Sequence, residues 1–413
     1  MKGRALGLHI GGSMLALIAL WMIRIRCTGA VVPIVYVFLL SSDSCKDYSI
    51  PPYIWSSLNQ SVNYQPKEFP IVFITDAVAC TSTQQAMQMF SGRIELFNAS
   101  ILDSIKSSIF RNNSLIGREE MNLYTTSLLR FFLLEDFMVQ RKYNQVFHVE
   151  SDNLLYFSME FMLPTLQQFY TQITVTPLNV DGRMTTASVL WVPSVESLSN
   201  FTSYIIQLLN TDSDLFLGFR EHNFVHSRCY ANHERCILKI DGVGLKLYSL
   251  NEMTFLAYYQ YLYPERMFSF PLLPPIGTNH AAIKGYTING SRVGVDTLGG
   301  IWDSGSWGQY VAGTPPPRAA IMKGHVGSNQ HSFVADESIV GFAILNEKCH
   351  IKRHCSAHFK FEEHCLTGPA IYCGHHSNHS LTPLWNLHVH SKKTSLFQSH
   401  KCECRIPQTV TYD

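Results

Sequence analysis

Apolar residues run along this chain in two rhythms. Short, near-continuous runs occupy Pro70–Asp76, Arg93–Phe97, Val146–Val149, Ile173–Thr176 and Ala187–Val192. Runs of that length read as strands buried on both faces. Elsewhere apolar residues return every three or four positions. Val195, Leu198, Phe201, Ile205 and Leu208 share one face of a helix predicted over Ser194–Leu209. Leu128–Met138, Tyr156–Tyr170 and Glu252–Tyr263 read as helices too, the last stopped by Pro264, and Ile50–Leu58 reads as an entry turn into a short one. Strand, helix and strand in succession predict an α/β fold with a mostly parallel central sheet flanked by helices.

The first forty residues break that pattern. Lys2 and Arg4 precede an apolar run from Ala5 to Ile23, interrupted by His9 and Ser13, and a second run, Ala30–Leu40, follows Arg24 and Arg26. The first is long enough to cross a bilayer and the second is marginal. Basic residues flank both, so charge does not choose between them. A single amino-terminal signal-anchor is the economical expectation, with a cleaved signal peptide as its rival.

Composition changes the picture in three places. Lys and Arg total 32 against 31 Asp and Glu, a net charge of +1, which leaves no basic field for nucleic acid. N-x-S/T sequons at Asn59, Asn98, Asn112, Asn200, Asn289 and Asn378 favour translocation into a lumen, and Asn200 lies off its helix's apolar stripe, as a glycan acceptor must. Of the 11 cysteines, Cys27 is in the anchor region and the rest form an even set, which reads as disulfides in an oxidising compartment.

The candidate chemistry centres on Val146-Phe147-His148-Val149-Glu150-Ser151-Asp152-Asn153, a short apolar strand ending in two carboxylates at i, i+2. Ligands of open α/β sheets sit past the carboxyl ends of strands, and hard oxygen donors there suit Mg²⁺ or Mn²⁺. Asp76 ends an earlier strand in the same way. Gly299–Tyr310 interleaves small residues with Trp302 and Trp307, which fits either a sugar-stacking wall around Asp303 or a packed turn with two core tryptophans. Asn386-Leu387-His388-Val389-His390-Ser391-Lys392 alternates and ends in a cation, offering a histidine to a metal and Lys392 to a phosphate. The cysteines and histidines between Cys349 and Cys365 invite a zinc reading, but no C-x₂-C pair with a matching second pair occurs, and luminal cysteines prefer one another.

In order, these blocks resemble a GT-A-fold, nucleotide-sugar-dependent glycosyltransferase of the secretory pathway, a type II membrane protein. The likeness rests on Ile50–Trp55 leading to Ile71–Asp76, on Arg130–Phe137, on Val146–Tyr156, and on Asp303–Tyr310 with Asn386–Lys392. It implies an anchor and short stem over residues 1–45 and a GT-A-like catalytic domain over 46–345. The nucleotide-sugar half of that domain would be 46–192 and the acceptor half 193–345. A Cys/His-rich, disulfide-bearing segment over 346–413 would follow. It further implies that Asp152 binds Mn²⁺ or Mg²⁺, with Glu150 at the metal or the donor's ribose and His390, or else His388, as the late ligand. Asp76 would lie by the nucleotide, Arg130 and Lys392 near the diphosphate, and Asp303 would be the base if the reaction inverts. The motif departs from the family at Glu150, where Asp is more usual. The activity implied is transfer of a sugar, of hexosyltransferase type, from a nucleoside-diphosphate sugar to a glycan or glycoprotein acceptor, on the luminal side of a Golgi or endoplasmic reticulum membrane. A non-catalytic carbohydrate-binding or scaffold protein on the same fold is the alternative, and a metal-dependent hydrolase built on the His/Cys cluster a third.

Overall fold

A computed structural model describes residues 31–40, 50–113, 123–178, 185–210, 212–219, 239–240, 243–244, 252–272, 286–288, 291–293, 299–305, 307–308, 349–361, 364–373 and 382–389. The architecture is mixed α/β. A seven-stranded sheet is built from β1 (Ile34–Phe38), β2 (Ile71–Thr75), β3 (Ile94–Asn98), β4 (Val146–Val149), β6 (Ile173–Pro177), β7 (Thr185–Val192) and β8 (Met267–Ser269), in the order β8-β6-β7-β4-β1-β2-β3. All neighbours are parallel except those of β7, which runs against both β4 and β6. A short β5 (Asn153–Leu155) lies outside that sheet.

Helices cover both faces. On one, α1 (Pro52–Tyr64) and α5 (Met159–Phe169) pack with Trp302 and Trp385; on the other lie α4 (Leu123–Arg141), α6 (Val195–Leu208) and α7 (Glu252–Leu262). Two more helices, α2 (Thr81–Gln88) and α3 (Ile105–Arg111), fill the connections around β3. The central strands are mainly apolar because their two faces feed two cores. In β1, Ile34 and Tyr36 join the first, and Val35 and Val37 the second. Local chemistry sets the helix starts: Ser194 accepts the Ser197 N–H to cap α6, and Ser104 accepts the Ser107 N–H to cap α3.

The centre of the sheet corrects the reading of the amino terminus. Ile34–Phe38 falls within the second apolar run, assigned above to anchor and stem, yet it is the strand between β2 and β4. A strand buried on both faces lacks the polar alternation that marks a surface strand, so it mimics a marginal membrane segment. Among the described residues no helix is long and apolar enough to cross a membrane, and the Ala5–Ile23 run lies outside them.

The carboxyl-terminal segment returns to the site. β9 (Cys349–Phe361) and β10 (His364–Cys373) form an antiparallel pair whose register sets Cys349 opposite Cys373, and β11 (Thr382–Pro383) extends it. Then β12 (Asn386–His388) pairs antiparallel with β5, His388 opposite Asn153. Buried amides on and after α1 hold β5 in place. Gln60 Nε2 donates to Leu155 O at 3.3 Å, and Gln65 bonds Phe157 O and the Met159 N–H at 2.7 and 2.8 Å. Of the sequons, Asn112 and Asn200 are exposed, Asn59 and Asn98 are half-buried, and Asn289 and Asn378 lie outside the described residues.

Candidate metal centre

β1 has its chain neighbour β2 on one side and β4 on the other, so the sheet's order reverses there. The carboxyl end of such a switch point opens a crevice in α/β folds. β4 ends in that crevice. The chain turns immediately, with the Asn153 N–H donating to Glu150 O at 3.0 Å, and the Glu150 N–H to Ser188 O on β7 at 3.0 Å. The turn puts Glu150 and Asp152 on one side, and β12 brings in the third group, the Val389 N–H donating to Asp152 O at 2.9 Å.

Glu150, Asp152 and His388 offer ligand atoms within 4.8 Å of one another. His388 Nε2 stands 3.1 Å from Asp152 Oδ1 and 3.2 Å from Glu150 Oε2. Adjacent ligands of an octahedral cation with bonds of about 2.1 Å lie roughly 3 Å apart. The separations and the mixed oxygen and imidazole donors therefore fit a Mn²⁺- or Mg²⁺-type ion.

Charge around the cluster is balanced without the ion. Arg130 of α4, nearly buried, donates from Nη1 to Glu150 Oε1 at 2.5 Å and from Nη2 to Glu252 Oε2 at the start of α7. Burial pushes the Glu150 carboxyl up, but Arg130 and His388 more than offset it and hold the group below its ordinary range. Glu252 goes the other way: burial outweighs its share of the same guanidinium and raises it to about 8. Burial also opposes the His388 imidazolium, yet Asp152, Glu150 and Asp303 raise it to about 10. Without a cation, protonated His388 bridges the two carboxylates.

The structure redistributes several expected roles. His388 is the histidine that reaches the carboxylates; His390 and Lys392 lie outside the described residues. Arg130 has both terminal nitrogens on carboxylates, so it orients Glu150 rather than standing ready for a diphosphate. Asp76 follows β2 and accepts the Leu40 N–H at 2.8 Å, outside the three-residue cluster. Asp303 is fully buried, and its oxygens accept four backbone N–H groups: Gly305 and Trp307 on Oδ1 at 2.8 and 2.9 Å, and Gly308 and His388 on Oδ2 at 2.8 and 2.9 Å. A carboxylate so occupied has no lone pair aimed at an acceptor hydroxyl, which removes it as the base. Trp302 and Trp307 are also fully buried, Trp302 stacking on Phe270 at 4.5 Å, so they are core residues and not a sugar-binding wall.

Three contributors escaped the sequence reading. Glu252 looks like an ordinary acid in a helix's first turn. Tyr53, at the start of α1, lies close enough that Asp152 and Glu150 add to burial in raising its phenol. Asn386 ties the site together: Oδ1 accepts the Asp303 N–H at 2.8 Å, and Nδ2 donates to Asn153 Oδ1 at 2.7 Å and Asp303 O at 3.0 Å.

No family model and no curated protein sequence matches the chain. Among solved structures it is similar to mouse xyloside xylosyltransferase 1 in its apo form, at 8% identity and a TM-score of 0.37 over 61% of this chain and 90% of that one. The PaToxG glycosyltransferase follows at 10% identity and a TM-score of 0.31, over 60% and 77% of the two chains. A cytidylyltransferase from Leptospira borgpetersenii gives 11% identity and 0.27, over 48% and 72%. Superpositions this loose carry no argument about reaction or substrate.

Proposed function

We propose that this chain is a metal-dependent glycosyltransferase that moves a sugar from a nucleoside-diphosphate sugar to a glycan or glycoprotein acceptor. The observation that carries the reading is the convergence of Glu150, Asp152 and His388 at the sheet's switch point, with ligand atoms within 4.8 Å of one another. Bound there, a divalent ion supplies Lewis-acid stabilisation of the charge that develops on a departing diphosphate. The chain's own part is to hold the ligands. Arg130 takes one oxygen of Glu150 and leaves the other facing His388. Asp152 and His388 sit at adjoining ends of the β5–β12 ladder, so backbone pairing fixes their separation.

A secretory location, Golgi or endoplasmic reticulum with the domain luminal, belongs to the same proposal. The basic-flanked Ala5–Ile23 run, the exposed sequons Asn112 and Asn200, and a disulfide-bonded Cys80 support it.

Incubating the full-length chain with Mn²⁺ and a panel of nucleotide sugars tests the activity. Release of nucleoside diphosphate that stops with chelator and with Asp152→Asn is the expected result. Donor binding that neither treatment changes, without turnover, would instead make the chain a carbohydrate-binding protein on this fold.

A further inference from the structure

Asp303 does no proton chemistry in this fold, yet its fully buried carboxylate has an unusual set of partners. Three of the four N–H groups it accepts belong to its own turn, from Gly305, Trp307 and Gly308. The fourth, the backbone N–H of His388, comes from a distant part of the chain and belongs to the one imidazole of the metal cluster. On its other side the strand carrying His388 is bonded to β5, next to Asp152. That strand is therefore gripped between one metal ligand's own segment and the Asp303 carboxylate.

The same turn also sets the ring. Gly305 has a φ of +116°, and a Cβ built there would lie 3.0 Å from His388 Nδ1. At Gly308 a Cβ would fall 1.8 Å from His388 O. Glycine at both places lets the turn close on the histidine's backbone from one side and its imidazole from another. Ser188 Oγ and Asn386 Nδ2 both donate to Asp303 O, at 2.9 and 3.0 Å, and so fix the turn to β7 and β12.

We propose that Asp303 is the positioning residue for the metal centre: through Oδ2 and the Gly305 turn it sets where the His388 imidazole stands relative to Asp152 and Glu150. The proposal rests on the metal reading of those three residues. Outer-shell partners of metal ligands typically change metal affinity by about 10- to 100-fold when removed. Asp303→Asn turns an amide donor toward the N–H groups on one carboxylate edge, and Gly305→Ala strains the turn at φ +116° and presses on the ring while keeping the carboxylate's chemistry.

The test is Mn²⁺ titration of the full-length chain with pulsed EPR of the bound ion, in which ¹⁴N modulation reports a coordinated imidazole. Wild type is expected to bind with ¹⁴N modulation. Asp303→Asn and Gly305→Ala are each expected to lose affinity by about 10- to 100-fold and to weaken the modulation in the folded fraction. Should Asp303→Asn fail to fold, Gly305→Ala carries the test alone. Wild-type affinity and modulation in folded Gly305→Ala overturn the positioning role and leave the metal reading intact. A wild-type chain that binds no Mn²⁺, or binds it without ¹⁴N modulation, overturns both.

Discussion

Glu150 and His388 meet at the same cluster, 3.2 Å apart, but different forces fix them. Glu150 is set by charge: Arg130 reaches it from α4 and shares itself with Glu252. His388 is set by backbone, paired to β5 on one side and bonded to Asp303 on the other. A buried ion pair fails badly when one partner is removed, because the other charge is left without compensation. His388 is held instead by directional bonds to its backbone, from a neutral strand ladder and from the Asp303 carboxylate. The two residues should therefore fail differently, Glu150 through stability and pH, His388 through geometry.

Asp152 touches both arrangements, so Asp152→Ala is expected to have the largest effect. Transfer should fall by about 10³-fold or more, equivalent to roughly 4 kcal/mol, with the far-UV circular dichroism unchanged. Wild-type turnover in that variant would break the comparison at its root.

Next comes Arg130→Met, which strands the part-buried Glu150 carboxylate and takes the donor from the buried Glu252 carboxyl. A loss of about 3–5 kcal/mol in denaturant unfolding is expected. Adding Glu252→Gln should restore part of it, because Glu252 is already pushed toward its neutral form, to about 8. Strict additivity of the two changes would show that Arg130 and Glu252 do not interact.

A smaller effect sharpens the difference in pH. His388 is raised from 6.5 to about 10, so in the metal-free protein it contributes stability that is complete below 6.5 and lost as pH rises through about 10. Glu150, held down, contributes in the opposite sense: present above its ordinary value and lost as pH falls through its folded one. A cation that takes His388 Nε2 displaces a proton, so Mn²⁺ affinity should climb by about tenfold per pH unit between 7 and 9. Calorimetry in buffers of different ionisation enthalpy should count about one proton released per ion. His388→Gln should release none, and unchanged release would assign the proton elsewhere.

The smallest expected effect is a control away from both arrangements. Asn200→Gln, on the exposed face of α6, should shift gel mobility by one glycan and leave stability within about 0.5 kcal/mol. A lost glycan without a stability change would support passage through the secretory lumen, whereas an unchanged mobility would count against a glycan at that site.

Much of the scaffold was legible because its strands and helices carry clean periodicities. The runs at Ile71, Ile94, Val146 and Ala187 became strands, and the stripe through Leu198 and Phe201 became the buried face of α6. Thr81–Gln88 escaped because only Thr83 and Ala86 of that helix are buried, too few to make a stripe. The carboxylates Glu150 and Asp152 were readable from a strand end, but their third partner was not. His388 and His390 are two apart and so point to the same face of a strand, and nothing local separates them. Only pairing with Asn153 decides for His388, and that contact crosses more than two hundred residues. The Asp303 turn misled for a related reason, since glycines that admit a ligand and glycines that admit another strand's backbone look alike in sequence.

The position of β1 has a practical consequence for anyone preparing this protein without its first apolar run. Cutting at residue 45, where a stem would ordinarily be trimmed, deletes the middle of the sheet and leaves β2 and β4 facing each other across a missing strand. A secretable version has to begin upstream of Val32, the first buried residue among those described, and retain what looks on paper like leader sequence.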